Sequence, residues 1–163
     1  MITPIIILTL LIIPSLIALL LNRYSQTAVN VLNAGYLGLV NCFLFFALGH
    51  FVKTDGMIAM LPSWMPAPYW VVIASGILEI IVALGLLNKQ FRRKAAWLAI
   101  AIFIGFLPVN FYAAFNHTGL GGHQWGPVYL FIRVPLQLIL VGWSYLLIAE
   151  KGIFRKGIQQ PNK

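Results

Sequence analysis

Polar residues in this chain fall in short clusters, and five stretches of almost wholly apolar side chains run between them. The stretches are 4–21, 28–51, 69–87, 95–115 and 128–149. Each approaches the ~20 residues that an α-helix needs to cross a bilayer. The pattern predicts an all-α membrane bundle of five transmembrane helices. Pro14 lies inside the first stretch and is expected to kink it.

Composition agrees with the pattern. The 163 residues are 61% hydrophobic and 9% charged. A soluble domain carries roughly a quarter charged residues, so the bilayer is the expected solvent. The single cysteine, Cys42, sits within an apolar run. It excludes an intrachain disulfide and CxxC redox chemistry, and reads as a small buried hydrophobe. The first stretch lacks a basic leader and a small-residue cleavage signal, so a retained helix is expected rather than a signal peptide.

The net charge of +8 is a statement about topology. Arg23 follows the first stretch. Lys89, Arg92, Arg93 and Lys94 follow the third, and Lys151, Arg155, Lys156 and Lys163 follow the fifth. With five spans these segments share one side, whereas Lys53, partly offset by Asp55, lies on the other. The positive-inside rule then puts the N-terminus outside and the C-terminus in the cytoplasm. The basic residues carry no nucleic-acid motif and no interleaved stacking aromatics, so no nucleic-acid partner is expected. The loop over 61–70 holds three prolines with Trp64, Tyr69 and Trp70, which suits an interfacial shelf or lid. The loop over 116–127 is glycine-rich and carries His117 and His123.

Polar groups at bilayer depth are expensive and mark candidate sites. Glu79 lies about 15 Å below the outer end of its helix, and Arg133 about 8 Å below the outer end of its own, at about 1.5 Å per residue. Asn110 matches Arg133 in depth, and Asn41 and Gln137 sit near the middle of their helices. Tyr129, Arg133, Gln137 and Ser144 share one helical side; so do Asn110, Ala114 and His117, and so do Ser75, Glu79 and Ala83. Asn41 and His50 point to opposite sides of the second helix. The deep polar groups lie at or above the midplane. A pocket open outward and closed below is expected, not a continuous channel. Glu79 and Arg133 either pair, or Arg133 snorkels to the surface and leaves Glu79 without its charge partner. His50, His117, His123 and Asp55 gather at the outer side without metal-ligand spacing, so no metal site is assigned.

The ordered motifs Leu48-Gly49-His50-Phe51, Ser75-Gly76-Ile77-Leu78-Glu79, Pro108-Val109-Asn110 and Arg133-Val134-Pro135-Leu136-Gln137 resemble the DoxX-like family of small membrane proteins. The resemblance implies a four-helix membrane core over 28–150. Residues 1–27 then form an extra N-terminal transmembrane helix and loop, and 151–163 a basic cytoplasmic tail. It puts the family's motif positions on His50, Glu79, Asn110, Arg133 and Gln137, and implies a quinone or lipid-like ligand without defining a reaction.

Three functions are expected to compete. One is an accessory membrane subunit of a redox or stress-related system that binds a quinone or lipid-like molecule. Its ligand contacts would be Arg133, Asn110, Gln137, His123, His117 and Asp55. Another is an enzyme acting on a lipid by acid–base isomerisation or hydrolysis, with Glu79 as acid or base and His50 or His123 as relay. The last is a structural or chaperone-like partner without a ligand. The expected location is a bacterial plasma (inner) membrane. The partners would be the bilayer, the hydrophobic ligand, and a membrane protein or further copies of the chain.

Overall fold

A computed structural model describes residues 2–24, 29–120 and 122–157, with side chains as far as residue 149. Six α-helices follow in order: α1 Ile2–Tyr24, α2 Val31–Val52, α3 Thr54–Ile58, α4 Pro68–Leu87, α5 Arg92–Phe115 and α6 Leu130–Gly157. A 3-10 segment, His123–Tyr129, leads into α6. Five helices are long and apolar enough to cross a membrane, the last span including the 3-10 segment. Large apolar residues such as Ile5, Leu37, Ile81, Ile104 and Leu138 are exposed along them, as expected of lipid-facing walls. The chain is therefore a helical integral membrane protein.

The capping chemistry is local. The Asn30 side chain accepts from Asn33 N–H and opens α2. Pro68 occupies the first turn of α4, where a missing N–H costs nothing. Two features depart from the pattern reading. The five residues of α3 form a separate helix after α2, and Thr54 Oγ1 at its start donates back to His50 O in the last turn of α2 at 2.7 Å. In addition, α6 continues to Gly157, so the expected tail begins as helix. The side chains of Lys151, Arg155 and Lys156, and all of Lys163, lie outside the described residues.

The helices group into two halves. In one, α2 packs broadly against α1 and α4. In the other, α5 packs against α6 and the 3-10 segment. The contact of α1 with α2 is close because α2 presents small residues at 35, 38 and 42. A Cβ on Gly38 would lie 2.1 Å from Leu11 O, and Cys42 Sγ lies 3.5 Å from Ile7 O.

The halves are tied together at the end that carries the α4–α5 turn. Arg92, buried there, donates from Nε to Leu86 O at 2.9 Å and from an η nitrogen to Asn33 Oδ1 at 2.6 Å. Its guanidinium also lies 4.7 Å from the centre of the Tyr36 ring. Tyr36 Oη donates to Leu147 O at 2.9 Å, and Trp143 Nε1 to Gly35 O at 3.2 Å, joining α2 to α6. Above them Phe43 stacks on Phe103, with ring centres 5.1 Å apart, and Phe46 meets Phe103 edge-on. Beyond this aromatic layer the halves part, and among the described residues the backbones of α4 and α6 do not touch.

Candidate functional site

The space between the halves is a cavity of about 620 Å³, within the range of small-molecule sites. Phe46, Phe103, Leu136 and Leu140 line its apolar depth, and Thr3 and Ile7 of α1 form part of a wall. Met57, Met60, Leu61, Met65 and Leu120 roof it. The roof bridges the halves: a Cβ on Gly56 would meet Leu120, and one on Gly119 would meet Met60.

On the α2–α4 side the polar wall is His50, Ser75 and Glu79. Gly76 lets α2 approach α4 here, since a Cβ on it would lie 2.8 Å from His50 Cβ. The ring of His50 is fixed through Nδ1, which sits 3.1 Å from both Val72 O and Ser75 Oγ. Ser75 Oγ itself donates to Val72 O at 2.8 Å. Both neighbours of Nδ1 are therefore acceptors, and Nδ1 carries the proton. Nε2 then faces Glu79 Oε2 at 3.5 Å. That distance exceeds a direct hydrogen bond, and Oε2 has no hydrogen-bond partner. The carboxyl and the imidazole nitrogen thus face each other at ion-pair distance without a hydrogen bond between them.

Arg133, Tyr129, His123, Asn110 and Gln137 line the α5–α6 side. Asn110 Nδ2 donates to Gln137 Oε1 at 3.2 Å, and Gln137 Nε2 donates to Phe103 O. Buried His123 is held through Nδ1 on Leu120 O at 2.6 Å, and its ring meets that of Tyr129 edge-on at 5.0 Å. Gly122, at φ 118°, lets this corner close, because a Cβ would collide with the Tyr129 ring. His123 Nε2 and Arg133 Nε are both enclosed without a hydrogen-bond partner. Three such atoms around one cavity, counting Glu79 Oε2, leave a costly polar deficit that a bound polar group would satisfy.

Six of the eight residues singled out in the sequence thus line one cavity: His50, Glu79, Asn110, His123, Arg133 and Gln137. Glu79 has His50, not Arg133, as its ion-pair partner among the described residues. His117 and Asp55 are exposed and do not line the cavity. The helical face that would align His117 with Asn110 ends too early. Helix α5 stops at Phe115, and His117 adopts a left-handed conformation at φ 53°. His117 N–H then bonds Ala114 O, and Thr118 N–H bonds Ala113 O, which is a Schellman closure with histidine in the usual glycine position. Asp55 lies on α3, a helix the pattern did not anticipate. Asn41 is half-buried and outside the cavity lining. No group of three or more His, Cys, Asp or Glu residues fit to hold a metal occurs among the described residues.

Sequence reasoning did not pick out Ser75 as the group that orients His50, nor Tyr129 as the neighbour of His123. Ser75 was visible one turn before Glu79, but it reads there as a small packing residue. Nothing in the sequence pointed to the methionine roof.

The family model described as Domain of unknown function (DUF8561) matches residues 39–148. The match takes in the six cavity residues His50, Glu79, Asn110, His123, Arg133 and Gln137. No curated protein and no solved structure matches the chain. The match spans well over half of the chain, which therefore belongs to the DUF8561 family.

Proposed function

We propose that this protein binds a quinone or similar lipid-like molecule within the membrane. In this reading the apolar tail lies among Phe46, Phe103 and Leu140, and the polar head lies between the two polar walls. The observation that carries it is the set of enclosed, unpartnered atoms facing one cavity: Glu79 Oε2 on one wall, Arg133 Nε and His123 Nε2 on the other. A head group with a donor for Glu79 and an acceptor for Arg133, which the hydroxyls of a quinol supply and an oxidised quinone does not, answers both walls. A redox role would make it an accessory subunit that works with a redox partner. The motifs that resemble the DoxX-like family support the same reading.

The cavity lies at the end of the bundle opposite Arg92 and the α4–α5 turn. With the basic turn in the cytoplasm, it opens in the outer half of a bacterial plasma membrane. Membrane-impermeant thiol labelling of Ser63→Cys but not of Gln90→Cys in intact cells is the expected result for this orientation; the converse would reverse it. The ligand reading is tested by mass spectrometry of the lipid extract from protein purified in mild detergent, beside Glu79→Gln. A specific molecule at near-stoichiometric level, depleted in the variant, is expected. Identical bulk lipid in both samples would sink the reading.

The contact of His50 with Glu79 favours a second reading, acid–base catalysis on a lipid, with Glu79 taking or giving the proton and His50 relaying it. Turnover of a lipid by the purified chain, lost in Glu79→Gln while the fold is retained, would distinguish enzyme from binding module.

A further inference from the structure

The two helices that flank the cavity on one side run antiparallel with a simple register. Gly85, Leu78 and Val71, spaced by seven, share one edge of α4; Ala95, Ile102 and Val109, likewise spaced, share one edge of α5. At the Arg92 end the edges meet, since a Cβ on Gly85 would lie 2.9 Å from Ala95 Cβ. At the other end Val71 and Val109 both line the cavity. One turn before Val109 stands Gly105, which is exposed and lines the cavity, and a Cβ built on it meets nothing within 4 Å. The seam is closed at the Arg92 end and borders the cavity at the other. The roof over the cavity is apolar and bridges the halves.

We infer that the outer half of the α4–α5 seam, with Gly105 at its edge, is a lateral portal through which a hydrocarbon chain passes between the bilayer and the cavity. The occupant is the acyl or prenyl chain of a membrane-dissolved amphiphile. Its polar head would reach the two walls while the chain trails through the seam. Gly105 keeps the passage clear because it has no side chain. The inference rests on the ligand-binding reading for its purpose but on the seam geometry for its existence.

The test uses the full chain in vesicles of phosphatidylcholine that carries a diazirine in one acyl chain. After irradiation, adducts are mapped by peptide mass spectrometry. Adducts on Phe103 and Val72, which are buried but line the cavity, are expected beside those on lipid-facing Ile104. Gly105→Trp places its ring in open space and is expected to fold, and to lose the cavity adducts while keeping those on Ile104. Adducts confined to lipid-facing residues, or cavity adducts undiminished in Gly105→Trp, would overturn the portal. The two readings fail separately. Cavity adducts lost in Gly105→Trp without any specific co-purified ligand leave the portal standing and remove the ligand. A ligand lost in Glu79→Gln with adducts unchanged in Gly105→Trp does the reverse.

Discussion

The link between His50 and Glu79 makes a prediction whose size follows from the geometry. Replacing His50 by Leu leaves the Glu79 carboxyl buried with no partner, since Arg133 is not within ion-pair distance of it. Breaking one side of a buried pair costs about 3 kcal/mol. Replacing Glu79 by Leu is cheaper. The His50 ring stays bonded through Nδ1 to Val72 O and Ser75 Oγ, and only Nε2 loses its neighbour, at about 1 kcal/mol. Once Glu79 is gone, His50→Leu strands no acid, so the double variant should be little worse than Glu79→Leu. The expected coupling is therefore about 3 kcal/mol, or about 6–12 °C in midpoint for a chain of this size. Thermal unfolding of the four proteins in one detergent measures it. The same cycle on Glu79 and Arg133, which line opposite walls of the cavity without an ion-pair contact, should show a coupling well below that of His50 with Glu79. Additive behaviour of His50 with Glu79, or strong coupling of Glu79 with Arg133, would refute the assigned pairing.

Other consequences can be read by the same assay. Arg92→Met removes two hydrogen bonds and a ring contact at the closed end, and should lower stability by at least about 2 kcal/mol; Arg92→Lys, lacking the planar fork, should rescue little. Gly38→Ala drives a methyl toward Leu11 O and should cost about 1–3 kcal/mol as α1 is pushed off α2. Gly142→Ala meets no atom within 4 Å and should be neutral or stabilising by up to about 1 kcal/mol. Equal effects at the two glycines would argue against the close α1–α2 contact. Ser75→Ala should cost only about 0.5–1.5 kcal/mol while loosening the His50 ring, seen as a broadened imidazole resonance beside that of the parent protein.

The spans were legible because a bilayer demands about 20 apolar residues wherever it is crossed, and α4 starts and ends within one residue of its apolar run. Depth was legible too, which is why Glu79, Arg133, Asn110 and Gln137 were found without contacts. What periodicity does not carry is where a helix stops and which helix lies opposite. The Schellman closure at His117 has no glycine to announce it, so periodicity alone carries the Asn110 face past the true end of α5. The five residues of α3 are too few to show a period, so Asp55 was read as loop. The partner of Glu79 depends on α2 lying against α4 through Gly76, a tertiary fact. Arg92 illustrates the same limit: it reads as one basic loop residue among four, yet it is the one that is buried and ties α5 to α2 and α4.

The most direct test of the account is native mass spectrometry of the intact protein, released from mild detergent, beside a variant whose cavity is filled from its apolar depth by Leu136→Trp. The account predicts a discrete one-to-one adduct on the parent chain, of a single mass identified as an amphiphile, and its absence from a variant that remains helical and monodisperse. A parent chain that flies bare, or an adduct undiminished in the filled variant, would contradict the claim that this cavity holds a ligand.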